Sequence, residues 1–503
     1  MFSTIKIASR KTPLAKIQAY LVAQAIKKVK QEKPIEFHFK ETHGDKDLES
    51  PLWKMGQRGV FTRDFNEDLI LNKVDMVVHS WKDIDLEENP ETEIISVLGR
   101  ADQRDILLFK KSSLHTNKEQ LTFLTSSPRR SYNLNFYFHT CLPLSLQNKK
   151  FIFDPVRGSI TTRINKWQNS DADGIILAKA AIDRILQTDY PQHNEEELVI
   201  ERNALRKILD DSLFQCIPLS INPNAPAQGG LAVEIKRDRV DIKRLLSKIS
   251  IRPVKEAITK ERNELAKHGG GCHQKIGVTI MKRHYGEIYF KRGLSDSGEN
   301  LNSRELYREH LPKIDSNAYW PKKGEGLKFK RTESENFPKP PEGNLFIARI
   351  TGWQSHWKQA EMTGIIWASG AKTMSELAKL DIWVSGCQDG LGEREPMLLE
   401  KILPNNHFKK VTHEESEAID SEMDRVYTYK LELMGDIPDI RGKENFYWMS
   451  GSQFDLVTEK FPEILEKNHS CGPGLTFNHI LSKTNKPPDV FLTYEDWSHY
   501  HNL

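Results

Sequence analysis

Short apolar runs alternate with amphipathic stretches through the first 245 residues or so. Residues 5–8 form an apolar run typical of a buried strand, and Pro13 then opens a segment with apolar residues on one helical face. The same order returns where an amphipathic stretch at 63–72 precedes the apolar run 76–78. Further buried strands are predicted at 94–98 and 174–178. This alternation predicts an α/β fold with mostly parallel sheets.

The pattern changes after about residue 246. A helix at 254–265 followed by strands at 276–280 and 287–292 predicts a small α+β domain, and the Pro-, Gly- and charge-rich stretch 321–344 is typical of a linker. Alternating elements then return, which indicates a separate C-terminal α/β module. The predicted units are 1–99 with 226–246 (first α/β domain), 100–225 (second α/β domain), 247–320 (small domain), 321–344 (linker) and 345–503 (C-terminal module).

Composition narrows the functional classes. No apolar run approaches the roughly 20 residues that cross a bilayer, and the N-terminus lacks a signal-peptide core, so we expect a cytoplasmic protein without a membrane partner. A net charge of +3 is too small to indicate nucleic-acid binding. The five cysteines lie far apart without a Cys-x-x-Cys pair, which predicts neither a disulfide framework nor a metal site.

Basic residues recur where predicted strands end. In parallel sheets ligands bind outside the carboxyl ends of strands, and a planar guanidinium can clamp a carboxylate with two hydrogen bonds. Any one of these residues alone would most simply be a solvated surface charge. Together they imply a polyanionic ligand, which the hydroxyls of Thr125, Ser126 and Ser127 at a predicted helix start would also favour. The basic residues are Arg10, Lys54, Arg58, Lys82, Arg129, Arg130, Arg157, Arg163 and Arg184.

Two residues differ from this cationic set. Asp83 directly follows Lys82, and an ionised carboxylate there could stabilise a positive charge or move protons at a leaving amine; a helix cap or ion pair is the plainer alternative. Cys272 follows three glycines, 269–271, so its sulfur could be presented on an uncrowded loop; a small buried cysteine is the alternative. A thiol nucleophile paired with His273 is disfavoured because adjacent side chains rarely face each other.

Ten collinear blocks between residues 9 and 277 carry a family resemblance. They are SRKTPLAKIQA, THGDKD, PLWKMGQRGVFTRD, VDMVVHSWKDID, ADQRDILL, TSSPRR, FDPVRGSITTRINKW, DGIILAKAAIDRI, APAQGGLAVEI and ERNELAKHGGGCHQKIG. In this order they resemble porphobilinogen deaminase, also called hydroxymethylbilane synthase. The resemblance implies two periplasmic-binding-protein-like α/β domains around a cleft, with a third small domain that carries a cysteine. It also implies that four porphobilinogen units are joined into hydroxymethylbilane, with release of ammonia, in tetrapyrrole (haem) biosynthesis.

The resemblance further implies a dipyrromethane cofactor, thioether-linked to Cys272, and no metal. Asp83, Lys82 and Arg10 are the implied catalytic residues. The implied cofactor-binding residues are Cys272, Ser80, Lys82, Asp83, Thr125, Ser126, Ser127, Arg129, Arg130, Arg163 and Arg184. The implied substrate-binding residues are Arg10, Lys54, Arg58, Phe61, Arg157, Arg163, Arg184 and Gln228. Porphobilinogen and the linear tetrapyrrole are the expected partners, and we expect a monomer.

Several positions depart from the family pattern. Arg58 replaces a lysine, Pro128 a leucine, Ser159 an asparagine and Asp85 a proline, and these changes preserve charge or lie beside the key groups. Gln274-Lys275 also stands where Val-Pro is common, and APAQGG replaces AVGQGA, which bears on loop shape more than on the reaction. A catalytically degenerate deaminase, or a binding module that holds an anionic ligand without chemistry, is therefore the alternative function.

Two C-terminal segments look alike, 365–393 and 446–481. Each has an apolar strand ending in Ser-Gly, a helix, a second short strand and a glycine turn that leads into a helix, which suggests a duplicated unit. The module resembles uroporphyrinogen-III synthase, which takes the deaminase product as its substrate, and the loops after Ser369 and Ser450 are its predicted binding region. A working synthase, a synthase-derived structural or docking domain, and an unrelated α/β domain all stay open.

Overall fold

The computed structural model describes residues 4–30, 33–42, 63–86, 89–96, 98–269, 274–308, 318–414 and 423–503. Four residues of the predicted site, Lys54, Arg58, Phe61 and Cys272, lie outside the described residues. No helix among the described residues is long and apolar enough to cross a membrane.

Strands and helices alternate in the described residues up to 247, as predicted. The strands are β1 (Ile5–Arg10), β2 (Ile35–Lys40), β3 (Met76–Ser80), β4 (Thr92–Ser96), β5 (Asp105–Lys110), β6 (Gln120–Leu124), β7 (Lys150–Asp154), β8 (Gly174–Ala178), β9 (Ser212–Cys216) and β10 (Leu231–Lys236). The helices are α1 (Pro13–Val29), α2 (Arg63–Ile70), α3 (Pro128–Cys141), α4 (Leu144–Gln147), α5 (Ile160–Gln168), α6 (Lys179–Leu186), α7 (Glu196–Asp211) and α8 (Val240–Ser247).

These strands form two five-stranded sheets of the same design. The first has the order β2-β1-β3-β10-β4, and β10 runs antiparallel to the other four strands. The second has the order β7-β6-β8-β5-β9, and β5 is its antiparallel strand. The predicted α/β class with mostly parallel strands is therefore confirmed.

Helix starts are placed by local sequence. Pro13 and Pro128 occupy the first turns of α1 and α3, where the missing N–H of proline costs no hydrogen bond. Ser127 caps α3 by accepting a hydrogen bond from the Arg130 amide, and Ser159 caps α5 in the same way. Both caps follow strands of the second sheet, so helix N-termini and strand ends share one edge of that sheet.

Residues 252–307 contain a helix and an antiparallel meander. The elements are α9 (Arg252–Ala266), β11 (Gly277–Arg283), β12 (Gly286–Leu294) and β13 (Asn300–Tyr307), of which β13 is additional to the prediction. The buried Glu261 anchors α9, because it pairs with Arg100 through two 2.7 Å contacts and accepts from the amides of Ala227 and Ile280 at 3.0 Å. Helix α9 is thereby attached to the segment that joins the two five-stranded sheets.

Two further sheets follow. Their strands are β14 (Tyr319–Trp320), β15 (Phe329–Glu333), β16 (Asn344–Ile347), β17 (Ile366–Ala368), β18 (Gly386–Cys387), β19 (Phe408–His413), β20 (Asp424–Leu433), β21 (Asn445–Trp448), β22 (Asn468–Cys471) and β23 (Asp489–Val490). The helices are α10 (Ala371–Ala378), α11 (Gly451–Lys460), α12 (Leu475–Lys483) and α13 (Tyr494–Tyr500). The sheet orders are β15-β20-β19-β16-β17-β18 and β14-β21-β22-β23.

The structure adds a strand to the expected linker and lacks, among its described residues, one helix that the sequence predicted in this region. The expected linker 321–344 contains β15, an edge strand that pairs with β20. Its charged residues did not predict a strand, because the strand with which it pairs lies about 100 residues further along the chain. The helix expected after the glycine turn of 365–393 is absent from the described residues, and an irregular loop continues to about residue 403. Pro396 and the positive φ of Leu398 (55°) interrupt a helix there.

The C-terminal region packs directly against the second sheet. Trp383 stacks on Phe109 with ring centroids 5.2 Å apart and donates from its indole nitrogen to the Phe214 carbonyl (3.0 Å). The Cys216 amide, at the end of β9, donates to the Ser385 carbonyl (2.8 Å) just before β18. The edges of the two sheets therefore meet, and the predicted separate module shares a hydrophobic core with the second sheet.

Candidate active site

A cavity of about 680 Å³ lies at the carboxyl ends of strands from both five-stranded sheets. This is the edge at which α/β sheets bind ligands. Twelve residues predicted for the site line it, namely Arg10, Ser80, Lys82, Asp83, Ser126, Ser127, Arg129, Arg130, Arg157, Arg163, Arg184 and Gln228. The structure thus brings together in one place residues that are up to 218 positions apart in the chain.

Asp105 organises the cationic wall of the cavity. Arg129 donates to its Oδ2 and Arg130 to its Oδ1, both over 2.7 Å, and all three side chains are buried. The two guanidiniums hold the pKa of the Asp105 carboxyl well below its usual range, against the opposing effect of burial. Asp105 belongs to the sequence block ADQRDILL but was not predicted as a site residue. A buried counter-ion of cavity-lining arginines has no sequence motif of its own.

Lys82 and Asp83 lie in a single 3-10 turn directly after β3. Lys82 donates to the side-chain oxygen of Gln228 at 3.4 Å, and Gln228 in turn donates to Asp105 at 2.9 Å. Burial lowers the pKa of Lys82 to about 8, although the neighbouring Asp83 carboxylate raises it. The Asp83 side chain is exposed at the mouth of the cavity, where an incoming ligand can reach it.

Two other arginines line the cavity from the second sheet's helices. Arg184, on α6, donates to the Gly229 carbonyl over 2.6 Å, and Arg163, on α5, donates to the Gly158 carbonyl over 2.8 Å. Burial lowers the pKa of each to about 10. Both still carry a full charge at neutral pH, so the cavity offers fixed cationic groups in a poorly solvated place.

Thr125 is the described residue of the predicted site that does not line the cavity. Its buried side chain instead accepts a hydrogen bond from the Ser127 amide at 3.3 Å. Thr125 therefore supports the turn that presents Ser126 and Ser127, because its hydroxyl is directed along the backbone of that turn.

The cavity also contains carboxylates that the sequence did not suggest. Glu197 and Glu201 lie one turn apart on α7 and line it. Glu197 pairs with Lys16 of α1 (2.5 Å), and Glu201 accepts from the Thr161 hydroxyl. Burial and then the Glu197 charge raise the pKa of Glu201 to about 7. No motif marked α7, whose charged surface looks like an ordinary solvated helix.

Described residues on either side of 270–273, where the sequence predicts a loop carrying Cys272, contact neighbours of the cavity residues. Before the loop, Arg262 of α9 donates to the Ile84 carbonyl at 3.0 Å, in the segment just after Asp83. After the loop, a Cβ at Gly277 would lie 2.1 Å from the Pro223 carbonyl oxygen, which leaves room only for glycine, and 3.1 Å from the Arg129 side chain. Arg262 and Gly277 therefore lie close to the chain segments that carry Asp83 and Arg129.

These features define an α/β protein with a cleft, lined by arginine and lysine side chains, between two mixed sheets. Residues 5–244 match the family model "Porphobilinogen deaminase, dipyromethane cofactor binding domain". The chain belongs to the porphobilinogen deaminase family, and the matched region is the family's cofactor-binding domain.

Curated relatives carry the same name. The porphobilinogen deaminase of Clostridium novyi is 32% identical over 279 residues, which cover 54% of this chain and 82% of that protein. That of Syntrophomonas wolfei is 30% identical over 60% of this chain and 87% of its own length. The probable porphobilinogen deaminase of Picrophilus torridus is 33% identical over 55% of this chain and 86% of that protein. More than a third of this chain lies outside each of these alignments.

Proposed function

We propose that this chain joins four porphobilinogen units into hydroxymethylbilane, with release of ammonia, on a dipyrromethane primer thioether-linked to Cys272. The observation that carries the proposal is the placement of Asp83. Its carboxylate stands at the mouth of a cavity whose walls hold Arg10, Lys82, Arg130 and other cations. A site that only held an anion would gain nothing from a carboxylate in that position.

The residues present fit a dipyrromethane. A polycarboxylate needs several donors in a fixed arrangement, and the cavity supplies guanidiniums together with the hydroxyls of Ser126 and Ser127. The Nε atoms of Arg129 and Arg130 are buried and have no hydrogen-bond partner among the described residues. Both residues line the cavity, so their guanidiniums add positive charge to the wall that would hold the ligand's carboxylates.

Asp83 supplies the acid–base chemistry. When the protonated aminomethyl group of porphobilinogen loses ammonia, the C–N electron pair leaves with the ammonia, and the positive charge spreads over the methylene carbon and the pyrrole nitrogen. The Asp83 carboxylate accepts a hydrogen bond from the pyrrole N–H and stabilises that charge. When bound, the dipyrromethane supplies the pyrrole carbon that forms the new carbon–carbon bond. Asp83 then receives the proton that a ring carbon releases.

The cationic residues hold the carboxylates of the substrate. Arg10 and Lys82 flank Asp83 and would orient the incoming porphobilinogen, while Arg157, Arg163 and Arg184 lie on the wall formed by the second sheet. Their guanidiniums stay charged throughout the working pH range, so they position substrate without taking part in proton transfer. Lys54, Arg58 and Phe61 stay predictions as substrate contacts, since they lie outside the described residues.

Product formation tests this function. Purified chain is mixed with porphobilinogen, and ammonia release and the mass of the tetrapyrrole are followed. Four ammonia molecules for each linear tetrapyrrole would support the proposal. Binding of porphobilinogen without ammonia release would favour the degenerate deaminase or anionic-ligand binding module.

A second activity, uroporphyrinogen-III synthase, is proposed for the C-terminal region on one observation. The loops at the carboxyl ends of its two sheets meet: Arg349, after β16, donates to the Met449 carbonyl after β21 at 3.2 Å, and Gly392 is packed against Gly474. Ligands of α/β proteins bind at such edges. The test is formation of uroporphyrinogen III from supplied hydroxymethylbilane, with a synthase-derived structural domain as the alternative if none forms.

A further inference from the structure

The irregular C-terminal loop that replaces the expected helix is held by three cations from the deaminase half. Arg104 donates to the Met397 carbonyl and Lys179 to the Leu398 carbonyl. Arg206 donates to the carbonyls of residues 401 and 402, both over 2.7 Å. Four charge-assisted bonds to backbone carbonyls within six residues make a specific docking contact.

Apolar side chains of the same loop complete the contact. Leu399 and Ile402 are buried in one hydrophobic cluster with Ile182 and Ile185 of α6 and with Leu205 of α7. The loop therefore packs against the two helices that carry Arg184, Glu197 and Glu201 into the cavity. The C-terminal region forms the outer support of this cavity wall.

Lys179 is the residue that connects this support to the cavity. Its side chain is fully buried, and its ammonium contacts both oxygens of Asp183 (2.7 and 2.9 Å), Asp102 (3.3 Å) and the Leu398 carbonyl. A buried ammonium without these acceptors would be strongly unfavourable, so the arrangement is fixed by charge. Three separate chain segments are joined at one atom.

Helix α6 connects the buried Lys179 ammonium to the cavity. Lys179 begins the helix, and Ala180, Ala181, Arg184 and Ile185 of the same helix line the cavity. We infer that Lys179 is a positioning residue, through which the C-terminal loop 397–402 sets the place of Arg184 in the cleft. The C-terminal region is then a working part of the deaminase site, whether or not it has an activity of its own.

The test uses full-length Lys179→Met, with Arg206→Met as the matched control. Arg206 bonds the same loop but belongs to α7 and does not line the cavity. For Lys179→Met we expect faster deuterium uptake in peptide 179–187 and a KM for porphobilinogen about tenfold higher, with kcat changed less. Arg206→Met should change both quantities much less than Lys179→Met does, because Lys179 still joins α6 to the Leu398 carbonyl. In an Arg184→Met background the KM effect of Lys179→Met should disappear.

A milder variant covers the case in which Lys179→Met does not fold. Asp183→Asn keeps the size of the side chain and one acceptor oxygen, and we expect the same two changes at about threefold in KM. The inference is overturned if folded Lys179→Met or Asp183→Asn leaves uptake in 179–187 unchanged, or if the KM shift persists without Arg184. The KM part rests on the proposed deaminase activity. Deuterium uptake in peptide 179–187 tests the positioning role of Lys179 even if the wild type proves inactive. Failure of the inference and failure of the proposed function can therefore be told apart.

Discussion

Arg130 Nη2 lies 2.7 Å from Asp105 Oδ1, and neither side chain is more than 8% exposed. Arg129 pairs with the other oxygen of the same carboxylate, so removing the negative charge of Asp105 leaves two buried guanidiniums without their counter-ion. We expect Asp105→Asn to lower the free energy of unfolding by about 3–5 kcal/mol. Urea unfolding measures this, and Asp439→Asn, which breaks an exposed pair with Arg441, is the control expected to show no change. Equal stability of Asp105→Asn and wild type would contradict the account of this wall.

Asp83→Asn should lower the rate of reaction without changing the stability of the fold. The side chain is exposed at the cavity mouth, so its loss should leave folding intact, whereas the rate of the first turnover should fall about 10²–10⁴-fold. Single-turnover quench with porphobilinogen measures this rate. Asp85→Asn, two residues along and outside the cavity lining, serves as the control and should keep the wild-type rate. A rapid first turnover in Asp83→Asn would remove the proposed acid–base role.

Lys82 should give substrate binding a pH dependence. Burial lowers its pKa to about 8, so in the free protein the ammonium loses its proton as pH rises through 8. We expect the KM for porphobilinogen to rise between about pH 7.5 and 9.5. Lys82→Arg should flatten this rise, because a guanidinium stays charged over the whole range. The same pH profile in wild type and Lys82→Arg would assign the titration to another group.

Glu201 should make stability fall as pH rises. Its pKa in the folded chain is raised to about 7 from an ordinary 4.5, so folding opposes ionisation once the unfolded state begins to lose its proton. The penalty is absent below about pH 4.5, grows between 4.5 and 7, and is constant above. Glu201→Gln should therefore raise Tm relative to wild type at pH 8 but not at pH 4. Glu196→Gln, an exposed residue of the same helix, should show no difference at either pH.

Local patterns predicted much of the fold. The strand at 174–178 and the helix opened by Pro13 are where the sequence placed them, because burial and proline geometry act within a few residues. The edge strand β15 and the loop at 397–402 were missed, because each takes its shape from a partner far along the chain. An apolar run such as residues 397–399 looks the same whether it forms a helix or a docking loop.

The residues of the site likewise fall into those that local sequence predicted and those that depend on distant contacts. Arg163 and Arg184 were predicted from family blocks and do line the cavity. Asp105 and Glu201 were missed, because their roles arise from what folding packs against them. A carboxylate that neutralises a cationic wall, or one whose pKa is raised by burial, shows no periodicity or motif that a single sequence could reveal.

The most direct test of the central claim is the intact mass of the full chain, purified from cells that make porphobilinogen. Cys272→Ser is compared with wild type and with Cys471→Ser, which alters a buried thiol that does not line the cleft. The account predicts that wild type and Cys471→Ser are heavier than their sequences by two condensed pyrrole units, while Cys272→Ser has its sequence mass. An unmodified wild type, or the same added mass on Cys272→Ser, would contradict it.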